Sequence, residues 1–230
     1  IHIEQDKSLN ARANISINNS LDNKGTINNS ATILVNAQTQ NDGDILGDEG
    51  SLTLTENFSN YGNITQHTLG NAKTLTNTQN ITVLDTLNNA GNINNDGSFT
   101  LKGNNNTGTF SGAGSLTTDG TITNNATITQ NNLYITGGSL TSQADKLTIN
   151  NGIVNDANLN LQGGELSSAI SGSGNTNLLD NTTINNSISG NTLNLNNYTA
   201  TLGNQGSLTL AGISAAQEGT LNTQNNKTIF

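Results

Sequence analysis

The stretch TLNNAGNINNDGSFTL, residues 86–101, places its large apolar residues Leu87, Ile93 and Phe99 six apart. A helix would bring apolar residues back every three or four positions and a half-buried strand every two. The same interval governs Ile15, Leu21, Ile27 and Ile33, then Leu46, Leu52, Phe58 and Ile64. It continues through Leu69, Leu75, Ile81, Leu87, Ile93 and Phe99, and through Phe110, Leu116, Ile122 and Ile128. Between runs the phase slips by one residue, as a corner insertion or deletion would do in a coil of fixed circumference. One short strand cannot bury a single apolar side chain alone, so the hexads must close into coils and the coils must stack.

Within a hexad the positions flanking the apolar residue are rich in Thr, Asn and Ser (Thr26, Thr74, Thr86; Thr65, Thr76, Asn88), and alternation turns them outward. The third position is repeatedly Asn, at Asn23, Asn29, Asn60, Asn71, Asn77, Asn89, Asn95 and Asn124. Asn tolerates left-handed backbone and bonds locally, which predicts corners there. The fifth is often Gly or Ala, as at Gly25, Ala31, Gly62, Gly91 and Gly97, and predicts a small inward place beside a bend. Stacking then sets Asn over Asn and Thr over Thr in hydrogen-bonded ladders.

The fold predicted is all-β: a single-stranded parallel β-helix, or β-solenoid, with three-sided coils of about 18 residues. Residues 1–230 read as one continuous solenoid, most regular over 15–128 and less regular over 129–230, where alternating strands such as NLNLQ (158–162) and TLNLN (192–196) dominate. At a strand spacing of roughly 4.8 Å, about twelve coils would make a rod on the order of 60 Å long. The core ladder predicted is Ile15, Leu21, Ile27, Ile33, Leu52, Phe58, Ile64, Leu75, Ile81, Leu87, Ile93, Phe99, Phe110, Leu116, Ile122 and Ile128.

Composition fits this architecture. Hydrophobic residues are 31% and aromatics 3%, too few for an ordinary globular core but suited to a narrow prism of Leu and Ile. Charged residues are only 10%, which argues against charge-driven disorder. There is no proline, whose missing N–H would break a stacked sheet. With no cysteine, disulfides and thiolate metal sites are excluded. The net charge is −9 and the seven cations are scattered, so a nucleic-acid partner is not expected. No apolar run is long enough to span a membrane. The chain begins at Ile1 and shows no signal peptide, which reads as a mature product or an excised fragment.

LDNKGTINNSATI (21–33), LNNAGNINNDGSF (87–99) and LTTDGTITNNATI (116–128) resemble the passenger repeats of secreted bacterial surface proteins, namely autotransporter passengers and filamentous-haemagglutinin-type adhesins. The resemblance is one of repeat style and covers most of the chain. It implies a right-handed helix, an extracellular or cell-surface location, and a role in adhesion, aggregation or biofilm. The spacing is also similar to that of hexapeptide acyltransferases, which are left-handed; those enzymes use a histidine base, and His2 and His67 are the only histidines here.

Three features of the sequence are candidate sites. NDGDILGDEG (41–50), with Asp42, Asp44, Asp48 and Glu49, coincides with a phase slip and reads as a protruding loop; oxygen-rich loops of this kind bind Ca²⁺, but the spacing of an EF-hand is lacking. Other acids (Asp85, Asp96, Asp119, Asp145, Asp156, Glu165, Asp180) are spread singly, and Arg12 is the sole arginine, so the paired carboxylates of a glycosidase are not evident. Thr rows raise an ice-binding reading, but strict Thr-x-Thr rows are not kept. No catalytic, cofactor or metal residue is therefore assigned. The function expected is a non-enzymatic structural and adhesive rod whose partners are carbohydrate, a host or neighbouring cell surface, or further copies in a filament. End-to-end assembly is suggested by the uncapped edge at Thr228-Ile229-Phe230. A polysaccharide lyase or hydrolase on the same scaffold is the alternative.

Overall fold

The structure, a computed structural model, describes residues 1–215, 218–223 and 226–229. It is a β-solenoid of parallel strands stacked in turns of about 18 residues, with essentially no helix. The chain divides into two compact units, Ile1–Thr117 and Thr118–Phe230.

In the first unit each coil has three sides, and each side contributes an apolar column. One column runs Leu9, Ile27, Ile45, Ile64, Ile81, Phe99, paired one above the next. The second runs Ile15, Ile33, Leu52, Leu69, Leu87. The third contains Thr39, Phe58, Leu75, Ile93, Phe110. The coil repeat is not constant: Phe58 pairs with Leu75 (17 on), Leu75 with Ile93 (18 on) and Thr39 with Phe58 (19 on). Inserted or deleted residues at corners absorb the difference, which is why the hexad phase slips. Phe99 and Phe110 meet edge-to-face with ring centroids 5.1 Å apart, a favoured aromatic geometry.

Of the predicted core ladder, all but Ile15 are buried. Ile15 is only half-buried, because in the first coil it has a neighbour on one side alone, Ile33. Burying each of these Leu, Ile and Phe side chains contributes about 1.5–3 kcal/mol. Leu46, which the six-residue spacing places inward, faces outward; Ile45 takes the core position at 0% exposure.

The third-position asparagines are not left-handed corners. Among the described non-glycine residues only Asp6 and Asn196 have positive φ. Asn23, Asn41, Asn60, Asn77 and Asn95 instead point into the coil, each 0% exposed. They are extended residues two beyond an inward position, so alternation carries them inside as well. The fifth-position glycines answer a different constraint from the one predicted. A Cβ on Gly62 would lie 1.9 Å from the Gly43 carbonyl oxygen, and one on Gly43 would lie 2.1 Å from that of Gly25. The corner backbone of one coil rests directly on the next, and a side chain there would pry them apart.

The second unit repeats the design with Leu133, Ile153, Ile170, Ile188 and Leu208 in one column. Another holds Leu140, Leu159, Thr176, Leu193 and Ile213. A short 3₁₀ turn, Ala144–Lys146, precedes strand Leu147–Ile149. Strand Thr220–Thr223 pairs in parallel with Thr199–Leu202, and on its other side antiparallel with Asn226–Ile229. That hairpin covers the outer edge of Thr220–Thr223 and makes Asn226–Ile229 the terminal strand, with Thr220–Thr223 as its partner among the described residues; Phe230 lies outside the described residues.

Candidate functional surface

The polar side chains sort into buried ladders, corner staples and outward rows. In the first unit Asn23 Nδ2 donates to Asn41 Oδ1 (2.7 Å), Asn41 to Asn60 (2.8 Å), Asn60 to Asn77 (2.8 Å) and Asn77 to Asn95 (2.8 Å). The second N–H of Asn41, Asn60, Asn77 and Asn95 goes to the carbonyl two residues on, at Gly43, Gly62, Gln79 and Gly97. That local bond sets which way each amide faces, so the ladder runs in one direction. A second ladder runs Asn71, Asn89, Asn106. The only buried side-chain polar atoms without a partner among the described residues are Asn23 Oδ1 and Asn71 Oδ1. Each is the first acceptor of its ladder and sits over an aliphatic residue of the preceding coil, Ile3 and Leu54. These amides hold the coils in register and are closed to ligands.

Several acids are corner staples. Asp44 Oδ1 accepts from the Asn63 side chain at 2.9 Å, Asp96 Oδ1 from the Ala113 backbone N–H at 2.8 Å, and Asp156 Oδ1 from that of Ser173 at 2.9 Å. Each binds the coil that follows. Asn14, Asn57 and Asn181 do the same for Thr32, Thr74 and Thr199.

The acidic stretch 41–50 is not one loop. Asp48 and Glu49 lie within the continuous strand Asp44–Leu54, where Gly47 pairs with Gln66 and Ser51 with Thr68. Residues 48–50 thus oppose the single residue His67, a bulge that exposes the two carboxylates. Asp42 lies before this strand and accepts from Gln40 Nε2 at 2.8 Å. Among the described residues no three of His, Cys, Asp and Glu gather as a metal site. Asp48 and Glu49 do border an open groove of about 590 Å³, together with Arg12, Asn10, Asn28 and Leu46. Among the described residues, ion pairs join His2 with Asp22 (2.7 Å) and His67 with Asp85 (3.6 Å), and no ion pair is seen between Arg12 and Asp48 or Glu49. His67 is half-exposed, its partner Asp85 accepts a further bond from Thr86 Oγ1 at 2.8 Å, and neither residue lines that groove.

An uncharged outward face lies in the second unit. Five paired strand segments present two outward positions each: Ser139 and Thr141, Asn158 and Asn160, Asn175 and Asn177, Thr192 and Asn194, Gly212 and Ser214. None of the ten positions is charged. Asn160 Nδ2 donates to Thr141 Oγ1 (3.1 Å), Asn177 to Asn160 (2.8 Å) and Asn194 to Asn177 (2.6 Å), and Ser214 Oγ donates to Asn194 Oδ1. In the neighbouring row Asn175 donates to Asn158 (3.2 Å). Alternation in NLNLQ and TLNLN shows the outward positions in the sequence, but not that they stack into one grid.

Comparison with protein-family models, with curated proteins and with solved structures gave no match. The class is therefore defined by the fold itself, a parallel β-solenoid held by internal asparagine ladders.

Proposed function

We propose that this chain is a non-enzymatic structural and adhesive segment of an extracellular bacterial surface protein. The observation that carries the reading is the disposition of its polar groups. Acids such as Asp44, Asp96 and Asp156 are engaged in coil-to-coil bonds, while a broad outward face consists of neutral amides and hydroxyls. Such a surface suits many weak hydrogen bonds to a carbohydrate or cell surface rather than charge-driven chemistry. The resemblance of the hexads to secreted passenger repeats supports export. The hairpin makes Asn226–Ile229 the terminal strand, and its outer edge is where end-to-end self-association would take place.

A polysaccharide-active enzyme is the second reading, and one observation favours it: the groove that gathers Arg12, Asp48 and Glu49. Two assays separate the readings. Beads coated with the protein are scored for retention on bacterial and epithelial cells. The soluble protein is incubated with neutral and acidic polysaccharides, and new reducing ends and unsaturated uronates are measured. Retention without turnover is expected. Turnover abolished by Asp48→Asn or Glu49→Gln would overturn the proposal in favour of the enzyme.

A further inference from the structure

We infer that the uncharged grid of the second unit is a binding face for a neutral, linear polysaccharide, with Leu179 as its apolar contact. This rests on the adhesive reading above and assigns it a site and a ligand class.

The first argument is hydrogen-bonding capacity. A side-chain amide carries two N–H donors and an oxygen with two lone pairs. Along the row Asn160, Asn177, Asn194, each amide gives one N–H to the preceding coil and accepts one bond from the next. Each is left with a second N–H and a second lone pair, and its orientation is already fixed by the row. Unlike the amides of the buried ladders, these three are half-buried. The result is a donor and an acceptor at three successive levels about 4.8 Å apart, about 10 Å in all. Sugar hydroxyls are themselves paired donors and acceptors, and an extended glycan repeats at nearly the strand spacing. Because the amides are held in place, binding loses little side-chain entropy.

The second argument is Leu179. It is 41% exposed, one of three large hydrophobic residues so exposed among those described. Leu161 pairs with Leu178 but Gln162 pairs with Asp180, so Leu179 is an extra residue in a one-residue bulge. It follows Asn177 by two positions in the same strand, at the corner edge of the grid. Bulges re-aim side chains, and this one delivers a leucine to solvent where a plain corner would carry Asn or Asp. A pyranose ring has one hydroxyl-bearing rim and apolar C–H faces, so an amide row bordered by an aliphatic side chain meets both.

The third argument is charge. The chain carries −9, yet these ten positions have no charged group. A polyanion gains nothing there and is repelled at longer range, so the occupant is a neutral polymer.

The test is calorimetric titration of the whole protein with cellohexaose and chitohexaose, and with polygalacturonate as the charged comparison. Binding of at least one neutral hexasaccharide, unchanged by added salt, is expected. Asn177→Asp and Leu179→Ala should each weaken it about tenfold, roughly one hydrogen bond or one apolar contact. Both side chains are partly exposed, and circular dichroism verifies that the variants fold. Asn36→Asp in the first unit should leave affinity unchanged. Absence of neutral-sugar binding, a preference for polygalacturonate, or full affinity in both grid variants overturns the assignment. The bead assay keeps the two proposals apart. If Asn177→Asp and Leu179→Ala beads adhere like wild type, the face is wrong and the adhesive role stands; if wild-type beads fail to adhere, the role itself falls.

Discussion

Replacing Asn60 by leucine cuts the buried ladder at its middle. Asn60 accepts from Asn41 Nδ2 at 2.8 Å and donates to the Gly62 carbonyl at 2.7 Å and to Asn77 Oδ1 at 2.8 Å. Three hydrogen bonds at a net of about 1 kcal/mol each are lost. Asn41 keeps its bond to Gly43, but its other N–H is stranded in the core, a penalty of about 1–3 kcal/mol. Asn77 Oδ1 retains the Gln79 N–H at 3.3 Å. The leucine has the same number of side-chain heavy atoms and the same branching as Asn, and its apolar burial offsets about 1.5 kcal/mol. The net is a destabilisation of about 2.5–4.5 kcal/mol. Guanidinium denaturation followed by far-UV circular dichroism measures it, and the slope m should not change. Asn77→Leu and the double variant complete a cycle. The two single variants both break the 60–77 rung, so the double should cost about 1 kcal/mol less than their sum. A neutral Asn60→Leu, or strict additivity, would refute the view that the ladder binds the coils as a connected chain.

Three further outcomes test the packing. Gly62→Ala, whose Cβ would sit 1.9 Å from the Gly43 oxygen, should cost more than about 2 kcal/mol in the same denaturation assay. Gly70→Ala, whose Cβ would first meet the Thr53 side chain at 3.3 Å, should stay within about 1 kcal/mol of wild type. Leu52 and Leu54 are equally buried, but Leu54 lies beneath the unpartnered Asn71 Oδ1. Asn at position 54 gains that acceptor, so Leu54→Asn should be less destabilising than Leu52→Asn by about 1 kcal/mol; equal losses would sink the explanation of the orphan oxygen. Adding Ca²⁺ or a chelator should leave the melting temperature unchanged, because Asp42, Asp44, Asp48 and Glu49 do not converge; a rise with Ca²⁺ would reveal a site at that bulge.

The spacing of Leu75, Ile81, Leu87 and Ile93 by itself determined that the chain coils, how many residues a coil holds and which side chains line it. That much is legible because inward direction follows from alternation along one strand, a local property. The third-position Asn was legible as a repeat but not as a direction. Its place inside depends on a partner 17 to 19 residues away and on a carbonyl two residues on, both supplied only when coils stack. The same holds for the glycines, whose constraint is the backbone of the coil below, and for Leu46, which a bulge between Gly47 and Ser51 turns outward of the phase its spacing suggests. The grid around Asn177 is the clearest case. Its residues come from five separate stretches of chain, each reading as ordinary strand and turn, and only the register of the stack makes them one surface. Local pattern sets what each coil buries; the register between coils decides what the molecule presents.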